Sequence, residues 1–209
     1  MENEEILRLK EIILTQSLEN QRLLEQIEIL KREQKELEEK LKLANKDKLT
    51  GLYNREIVEE AYLNTGTIVM CDIDDFKKLN DNYGHNFGDI ILKNISDILV
   101  GSVRNTDYVI RWGGEEFIIF VDNNDITIAK KLAERIRTRV ETLEGQTLED
   151  GSICPKITMS FGVSKLHSSD SMTDEIKKAD DALYESKRNG KDRVTVYGED
   201  IEISDNKTR

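Results

Sequence analysis

Apolar residues recur every three or four positions through residues 1–46 and hold one heptad register for almost six repeats. With Ile6 at position a and Leu9 at position d, nine of the twelve seam positions are apolar. A sustained seven-residue repeat predicts a coiled coil, because a stripe with the period of a straight helix would drift out of register. The seam consists of Ile6, Ile13, Asn20, Ile27, Gln34 and Leu41 at a, and of Leu9, Gln16, Leu23, Leu30, Leu37 and Ala44 at d.

The residue types in this seam favour a parallel dimer, since Ile at a and Leu at d suit two strands. Asn20, at an a position, would fix the register by pairing with its symmetry mate. A long helix folded back on its own domain is the alternative, and the heptad pattern favours it less. Further apolar residues outside the seam are compatible with a second register or another partner: Leu7, Ile12, Leu14, Leu24, Ile29 and Leu43.

From residue 47 the pattern changes to short alternating helices and strands. The apolar periods and glycine-bearing turns predict an α+β fold, with a central antiparallel sheet flanked by helices, over residues 47–198. Residues 199–209 are a polar tail. The predicted helices are 56–63, 89–100, 126–140 and 171–188, and the predicted strands are 67–73, 107–112, 116–121, 156–165 and 193–197.

Net charge, the length of the apolar runs and the number of cysteines exclude several classes of protein. The 31 Lys and Arg against 42 Asp and Glu give a net charge of −11, which argues against a protein that coats nucleic acid. The longest apolar run, residues 117–121, is far too short to cross a membrane. Two cysteines are too few for a disulfide scaffold, and we expect a cytoplasmic protein with both thiols reduced.

Carboxylates collect at the ends of two predicted strands. Asp72, Asp74 and Asp75 close the first strand, and the pair Glu115–Glu116 follows two glycines in the predicted hairpin. Acidic residues on turns often do no more than contact solvent, and that alternative stands for either cluster alone. Brought together, the two clusters would form an oxygen-only site suited to Mg²⁺ held partly by substrate phosphates.

Polar residues that could contact a nucleotide follow downstream. Lys77, Asn80, His85 and Asp89 lie within a short stretch, where an amide and a carboxylate can pair with the edge of guanine. Lys187 and Lys191 are spaced i, i+4 near the end of a predicted helix. They could bind phosphate together, or they could simply belong to a solvent-exposed helix face.

Six motifs, in order and at family spacing, resemble the GGDEF family of diguanylate cyclases from Asp47 to about Tyr197. The signature turn reads Gly-Gly-Glu-Glu-Phe, a variant associated with active members. The motifs are DKLTGLYNR at 47–55, DIDDFK with ND at 72–81, GHNFGD at 84–89, RWGGEEF at 111–117, SFG at 160–162 and ADDALY at 179–184.

The resemblance implies a palm-like fold with a ferredoxin-like core, in which two GTP molecules, one per subunit of a homodimer, become cyclic di-GMP with release of two pyrophosphates. It also implies the site residues. Asp72, Glu116 and the carbonyl of Ile73 match the ligands of Mg²⁺, with Mn²⁺ as an alternative metal, and Glu115 matches the general base. Asn80 and Asp89 match the guanine-reading residues, His85 lies in the same loop, and Lys77, Lys187 and Lys191 match the phosphate-binding positions.

Arg104 and Asp107 have the Arg-x-x-Asp spacing and the offset from the signature turn of the family's inhibitory product site. Arg135 matches a secondary arginine of that site. Lys191 stands where the family more often has arginine, which keeps the charge but loses the planar fork. Glu56 replaces a frequent second arginine after Arg55.

Three functions remain open at this point. The leading one is a coiled-coil homodimer that makes cyclic di-GMP from GTP rather than from ATP and is inhibited by its product. A catalytically silent cyclic di-GMP receptor is the second, although such members usually lose the signature turn. A coiled-coil scaffold is the third, and it explains residues 1–46 alone. No sensor domain is recognisable, so either the coiled coil is the whole input or the chain is a fragment.

Overall fold

A computed structural model describes residues 2–60, 66–166 and 171–199 of the chain. They fall into two compact units that divide between Ala44 and Asn45. The first unit is one helix, α1 (Glu2–Ala44), which confirms the predicted N-terminal helix. Six apolar seam side chains are 46–65% exposed on it: Ile6, Leu9, Ile13, Leu23, Ile27 and Leu30. None of the described helices has both the length and the apolarity needed to span a bilayer.

The second unit is a six-stranded sheet with helices on both faces. Its elements are β1 (Tyr53–Asn54), α2 (Ile57–Glu60), β2 (Gly66–Ile73), α3 (Phe76–Tyr83), α4 (His85–Val100), β3 (Tyr108–Arg111), β4 (Glu116–Val121), α5 (Ile126–Glu141), β5 (Met159–Leu166), α6 (Met172–Arg188) and β6 (Val194–Val196). The sheet order is β1-β3-β4-β2-β5-β6, with the inner four strands antiparallel and each outer strand parallel to its neighbour. The inner strands with helices α4 and α5 follow a βαββαβ order, so the predicted α+β, ferredoxin-like fold is confirmed.

The central strand β2 is buried along all eight of its residues. Val69, Cys71 and Ile73 belong to the core shared with α4 and α5, whereas Ile68 and Met70 belong to the core under α6. Two cores on opposite faces explain the continuous apolar run, since a strand covered on one side only would alternate. Both cysteines, Cys71 and Cys154, are free and buried.

The sequence prediction was wrong at several boundaries. Helix α4 begins at His85 rather than at residue 89, and β5 begins at Met159 rather than at residue 156. Helix α3 was not predicted at all, because its eight mostly polar residues are too few to show a helical period of apolar positions. The two-residue strand β1 was missed for the same reason. Residues 61–63 of the predicted helix 56–63 lie outside the described residues.

Helix α6 lies directly against β5 at Gly162. A Cβ atom added at this glycine would collide with the backbone of Ala179, Ala182 and Leu183, and backbone atoms cannot swing away. This contact sets the distance between α6 and the sheet. It therefore also sets the position of Lys187, in the last turn of α6.

We expect Gly162→Ala to lower the free energy of unfolding by about 3 kcal/mol, because the added methyl group must displace α6 from the sheet. Gly114→Ala is the matched control, since a Cβ atom at Gly114 meets nothing within 4 Å. Urea unfolding of both variants measures the difference. Equal stabilities would show that α6 tolerates a larger separation.

Candidate active site

Two carboxylates predicted as metal ligands meet across the sheet. The register of β2 pairs Asp72 with Glu116 on β4 and with Ser160 on β5. Directly paired residues of antiparallel strands lie about 5 Å apart at Cα and point to the same face. Asp72 is only 5% exposed, so its carboxylate stands at the edge of the core.

Gly113 makes room for the second carboxylate. A Cβ atom at this position would lie 2.6 Å from Glu116 Oε2, and the glycine therefore lets the glutamate fold back along the turn. The turn itself is closed by the amides of Trp112 and Gly113, which donate to the carbonyl of Glu116 at 2.8 and 3.2 Å. The amide of Ile73 donates to the carbonyl of Glu115 at 3.3 Å and ties the end of β2 to the same turn.

Lys187 supplies a positive charge to this pair. Its Nζ lies 2.8 Å from Asp72 Oδ2. Burial raises the pKa of Asp72 to about 6, Lys187 opposes that shift, and the charges of Glu115 and Glu116 add to it. A buried carboxylate with two acidic neighbours favours cations beside it.

The donor set fits a hard divalent cation. Asp72 and Glu116 offer carboxylate oxygens, and the Ile73 carbonyl next to Asp72 is a third oxygen donor. Within the described ranges no three His, Cys, Asp or Glu side chains converge on one point. Mg²⁺ in proteins is often bound by one or two carboxylates together with water and substrate phosphates.

Arg111 braces the turn that carries the glutamates. Its Nη2 donates to the Gly114 carbonyl at 2.7 Å, and its Nη1 donates to Asp47 Oδ1 at 2.9 Å. The same Asp47 oxygen accepts from the amide and the hydroxyl of Thr50 at 2.9 and 2.7 Å. No role was predicted for Arg111 or Asp47 from the sequence, although both belong to the family motifs at 111–117 and 47–55.

The acidic run after β2 divides into different roles. Asp74 accepts hydrogen bonds from the hydroxyls of Thr158 and Ser160, both at 2.7 Å, and from the amide of Asp192 at 3.1 Å. It therefore joins β2 to β5 and to the loop after α6, and its oxygens are already satisfied.

Asp75, which immediately precedes α3, forms ion pairs with Lys78 on that helix and with Lys191 in the loop after α6. Its carboxylate oxygens lie 2.6 Å from Lys78 Nζ and 2.7 Å from Lys191 Nζ. Hydrogen bonds from Lys191 and Lys78 lower the pKa of Asp75. The backbone of Asp75 is left-handed, with φ 55°, a conformation that Asp tolerates better than most residues.

Helices α3 and α4 bring the predicted guanine-reading residues together. Asn80 Oδ1 on α3 is buried without a hydrogen-bond partner among the described residues. It lies against Gly88, where a side chain would take its place, and Asp89 is the next residue of α4. Asp89, His85 and Lys77 are exposed.

A second group of predicted residues lines a separate cavity of about 210 Å³, formed in part by Arg104, Asp107 and Arg135. Asp107 accepts from the amides of Arg104 and Asp122 at 2.9 and 3.0 Å, so it shapes the loop. Arg135 Nη2 donates to the Ser102 carbonyl at 2.6 Å. Lys131, one turn before Arg135, also lines this cavity and was not predicted. A larger cavity of about 730 Å³, next to Trp112 and Ile176, contains none of the predicted residues.

Comparison with known proteins places this geometry in a family. Residues 44–193 match the family described as "Diguanylate cyclase, GGDEF domain". The chain belongs to the GGDEF family.

Two curated relatives and two solved structures show how far the likeness extends. "Diguanylate cyclase A" of Treponema denticola is 44% identical over 133 residues, 63% of this chain and 35% of that protein. "Diguanylate cyclase VdcA" of Vibrio cholerae is 39% identical over 154 residues, 71% of this chain and 45% of that protein. The matched segment thus spans less than half of either relative.

Among solved structures, the coiled coil and GGDEF domain of DgcB from Caulobacter crescentus, in complex with c-di-GMP, is similar with a TM-score of 0.70 and 28% identity. That match covers 84% of this chain and 97% of DgcB as solved. Diguanylate cyclase SiaD of Pseudomonas aeruginosa, solved with its activator SiaC, has a TM-score of 0.67 and 28% identity, over 92% of this chain and 79% of SiaD.

The hydrogen bonds of Asp74 predict a structural role for it. We expect Asp74→Asn to lower the free energy of unfolding by about 2 kcal/mol, because an amide replaces one acceptor oxygen opposite three donors. Asp75→Asn, the same change one residue later, should cost less than about 0.5 kcal/mol, since exposed ion pairs contribute little. Denaturant unfolding compares the two, and a neutral Asp74→Asn would contradict the structural role.

Proposed function

We propose that this protein is a diguanylate cyclase, which converts two GTP into cyclic di-GMP and two pyrophosphates. The observation that carries the proposal is the buried Asp72 in register with Glu116 beside Lys187, at the signature turn of the family. We further infer that it works in the cytoplasm, where its substrate GTP is made.

Each subunit holds one GTP in this proposal. Asp72, Glu116 and the Ile73 carbonyl would bind Mg²⁺, which when bound neutralises phosphate charge and orients the leaving group. Lys77, Lys187 and Lys191 hold the phosphates from α3, from α6 and from the loop after α6. Positioning and charge neutralisation are the main demands of phosphoryl chemistry, and fixed cations meet them.

Glu115 acts as the general base in this proposal. It is half-buried on the hairpin turn, and its main chain is fixed to Ile73 at the end of β2. The 3′-hydroxyl of one GTP attacks the α-phosphorus of the other, its proton passes to Glu115, and pyrophosphate leaves. The second bond forms the same way with the roles of the two subunits exchanged.

Asn80 and Asp89 select guanine. The buried Oδ1 of Asn80, which has no hydrogen-bond partner in the part of the chain that the structure describes, is one free acceptor, and the exposed carboxylate of Asp89 on α4 is a second. Guanine presents N–H groups on its Watson–Crick edge, where adenine lacks the N1 and N2 donors. Sites that depend on such bonds reject the analogue without them by orders of magnitude, which favours GTP over ATP.

Helix α1 joins the two subunits as a parallel coiled coil in this proposal. Its seam side chains are about half exposed in the single chain, and burying them against a second copy gives the helix its missing apolar partner. The relative DgcB was solved with its coiled coil, which supports the same arrangement here.

The cavity of Arg104, Asp107 and Arg135 is the proposed inhibitory site for cyclic di-GMP. The Arg104 side chain is exposed at its mouth, and guanidinium groups suit guanine edges and phosphates. The solved complexes of DgcB with c-di-GMP support product binding by this fold.

The first test is turnover of GTP with Mg²⁺, followed by pyrophosphate release and by chromatography of the nucleotide product. We expect Glu116→Gln and Asp72→Asn to lower the rate at least about a thousandfold, since each removes a charged metal ligand. Glu149→Gln, an exposed acid-to-amide change, is the control. A wild-type protein that binds cyclic di-GMP but releases no pyrophosphate is a receptor, and that result refutes the proposal.

The second test places the same charge on opposite sides of α1. Leu23 lies in the seam and Leu18 on the outward face, with exposures of 50% and 61%. We expect Leu23→Glu to shift the protein to monomer and to lower specific activity at least about tenfold at nanomolar concentration, with recovery at higher concentration. Leu18→Glu should change neither. Sedimentation and rate measurements decide, and equal effects would show that the seam is not the dimer contact.

The third test concerns product inhibition. Arg104→Ala removes the guanidinium but keeps the amide that donates to Asp107, so the loop should be preserved. We expect the progress curve of this variant to stay linear to a product concentration about tenfold higher than in the wild type. If both curves bend at the same product concentration, the Arg104 cavity is not the inhibitory site.

A further inference from the structure

The loop that carries Lys191 has a backbone conformation that must be held from outside. Lys191 and Asp192 both have left-handed backbone, with φ 63° and 48°, and neither is glycine. Such residues persist where surrounding contacts determine them. The other lysine of the pair, Lys187, lies on α6 itself and needs no such support.

Two contacts from outside the loop hold Asp192. Its amide donates to Asp74 Oδ2 at 3.1 Å, and its Oδ1 accepts from Arg137 Nη1 on α5 at 2.9 Å. These bonds fix the residue next to Lys191 from two different elements. The Lys191 ammonium then reaches Asp75, at the end of α3 that also carries Lys77.

Arg137 is itself fixed on α5 by two more carboxylates. Its Nε lies 2.9 Å from Glu134 Oε2, and its Nη1 lies 2.9 Å from Glu141 Oε1. The side chain is only 23% exposed, so these bonds are partly shielded from solvent. One guanidinium therefore pairs with three carboxylates, of which Asp192 alone belongs to the loop.

We propose that Arg137 is a positioning residue for the phosphate contact of Lys191. It acts through Asp192: without the guanidinium, the Asp192 carboxylate would face Glu134 and Glu141, and their repulsion would displace the loop together with Lys191. Lys187 would keep its place. The inference rests on the proposed function, in which Lys191 binds a phosphate of GTP.

A double-mutant cycle separates this role from a general loss of stability. Arg137→Gln is combined with Lys191→Ala and, separately, with Lys187→Ala, in the 209-residue protein. Calorimetry measures the Kd of α,β-methylene-GTP, an analogue that cannot release pyrophosphate, in the presence of Mg²⁺. Initial rates supply the KM for GTP as a second readout.

We expect Arg137→Gln alone to raise the Kd by about five- to tenfold, the usual loss for a charge-assisted phosphate contact. In the Lys191→Ala background the same change should raise it less than about twofold, because the contact is already gone. In the Lys187→Ala background Arg137→Gln should still raise the Kd by about five- to tenfold. Arg139→Gln, on the same helix but bonded to Gly101 and Ser102, is the control and should leave the Kd unchanged.

The outcomes are distinct. An equal factor for Arg137→Gln in both lysine backgrounds overturns the positioning role, as does an unchanged Kd in Arg137→Gln. If Lys191→Ala alone leaves the Kd unchanged, the phosphate role of Lys191 is wrong and the inference falls with it. Thermal unfolding of every variant ensures that only folded proteins enter the cycle, and Arg137→Lys replaces Arg137→Gln if the latter does not fold.

Discussion

The burial of β2 on both faces is the constraint on which the rest of this domain depends. A strand paired on both edges and covered on both faces is mostly apolar, and the one charged residue of β2 stands at the edge of the core, near the end of the strand. That residue is Asp72. Because β4 and β5 are locked to β2 by backbone hydrogen bonds, Glu116 and Ser160 are fixed beside it before any ligand is present.

Three aspartates within four residues show how position decides the chemistry of one side-chain type. Asp72 is buried among other acids, and its pKa is raised to about 6. The two carboxylate oxygens of Asp74 accept hydrogen bonds from two hydroxyls and an amide, and these bonds join three segments of the fold. Asp75 is exposed between two lysines, which lower its pKa. From the sequence alone, these three residues could be described only as one acidic cluster.

Helix α5 connects the two polar regions of the domain. Arg135 faces the cavity of Arg104 and holds the Ser102 carbonyl, whereas Arg137, two residues on, faces the loop after α6. Two residues on a helix are rotated by about 200°, so one helix can contact both regions. The same rigid helix therefore supplies one arginine to each of the two regions.

The N-terminal helix, the α+β class and the two carboxylate-bearing strand ends could all be predicted from the sequence, because heptad spacing, apolar runs and glycine turns are local signals. The family motifs further predicted the site residues, and those roles stay proposals. The roles of Asp74, Arg111 and Arg137 depended on partners 55 to 118 positions away: Asp192 for both Asp74 and Arg137, and Asp47 for Arg111. Helix α3 likewise had too few apolar residues to be visible locally. These features became visible in the folded domain alone, since a side chain's distant partner is set by strand register and helix packing, which no local pattern records.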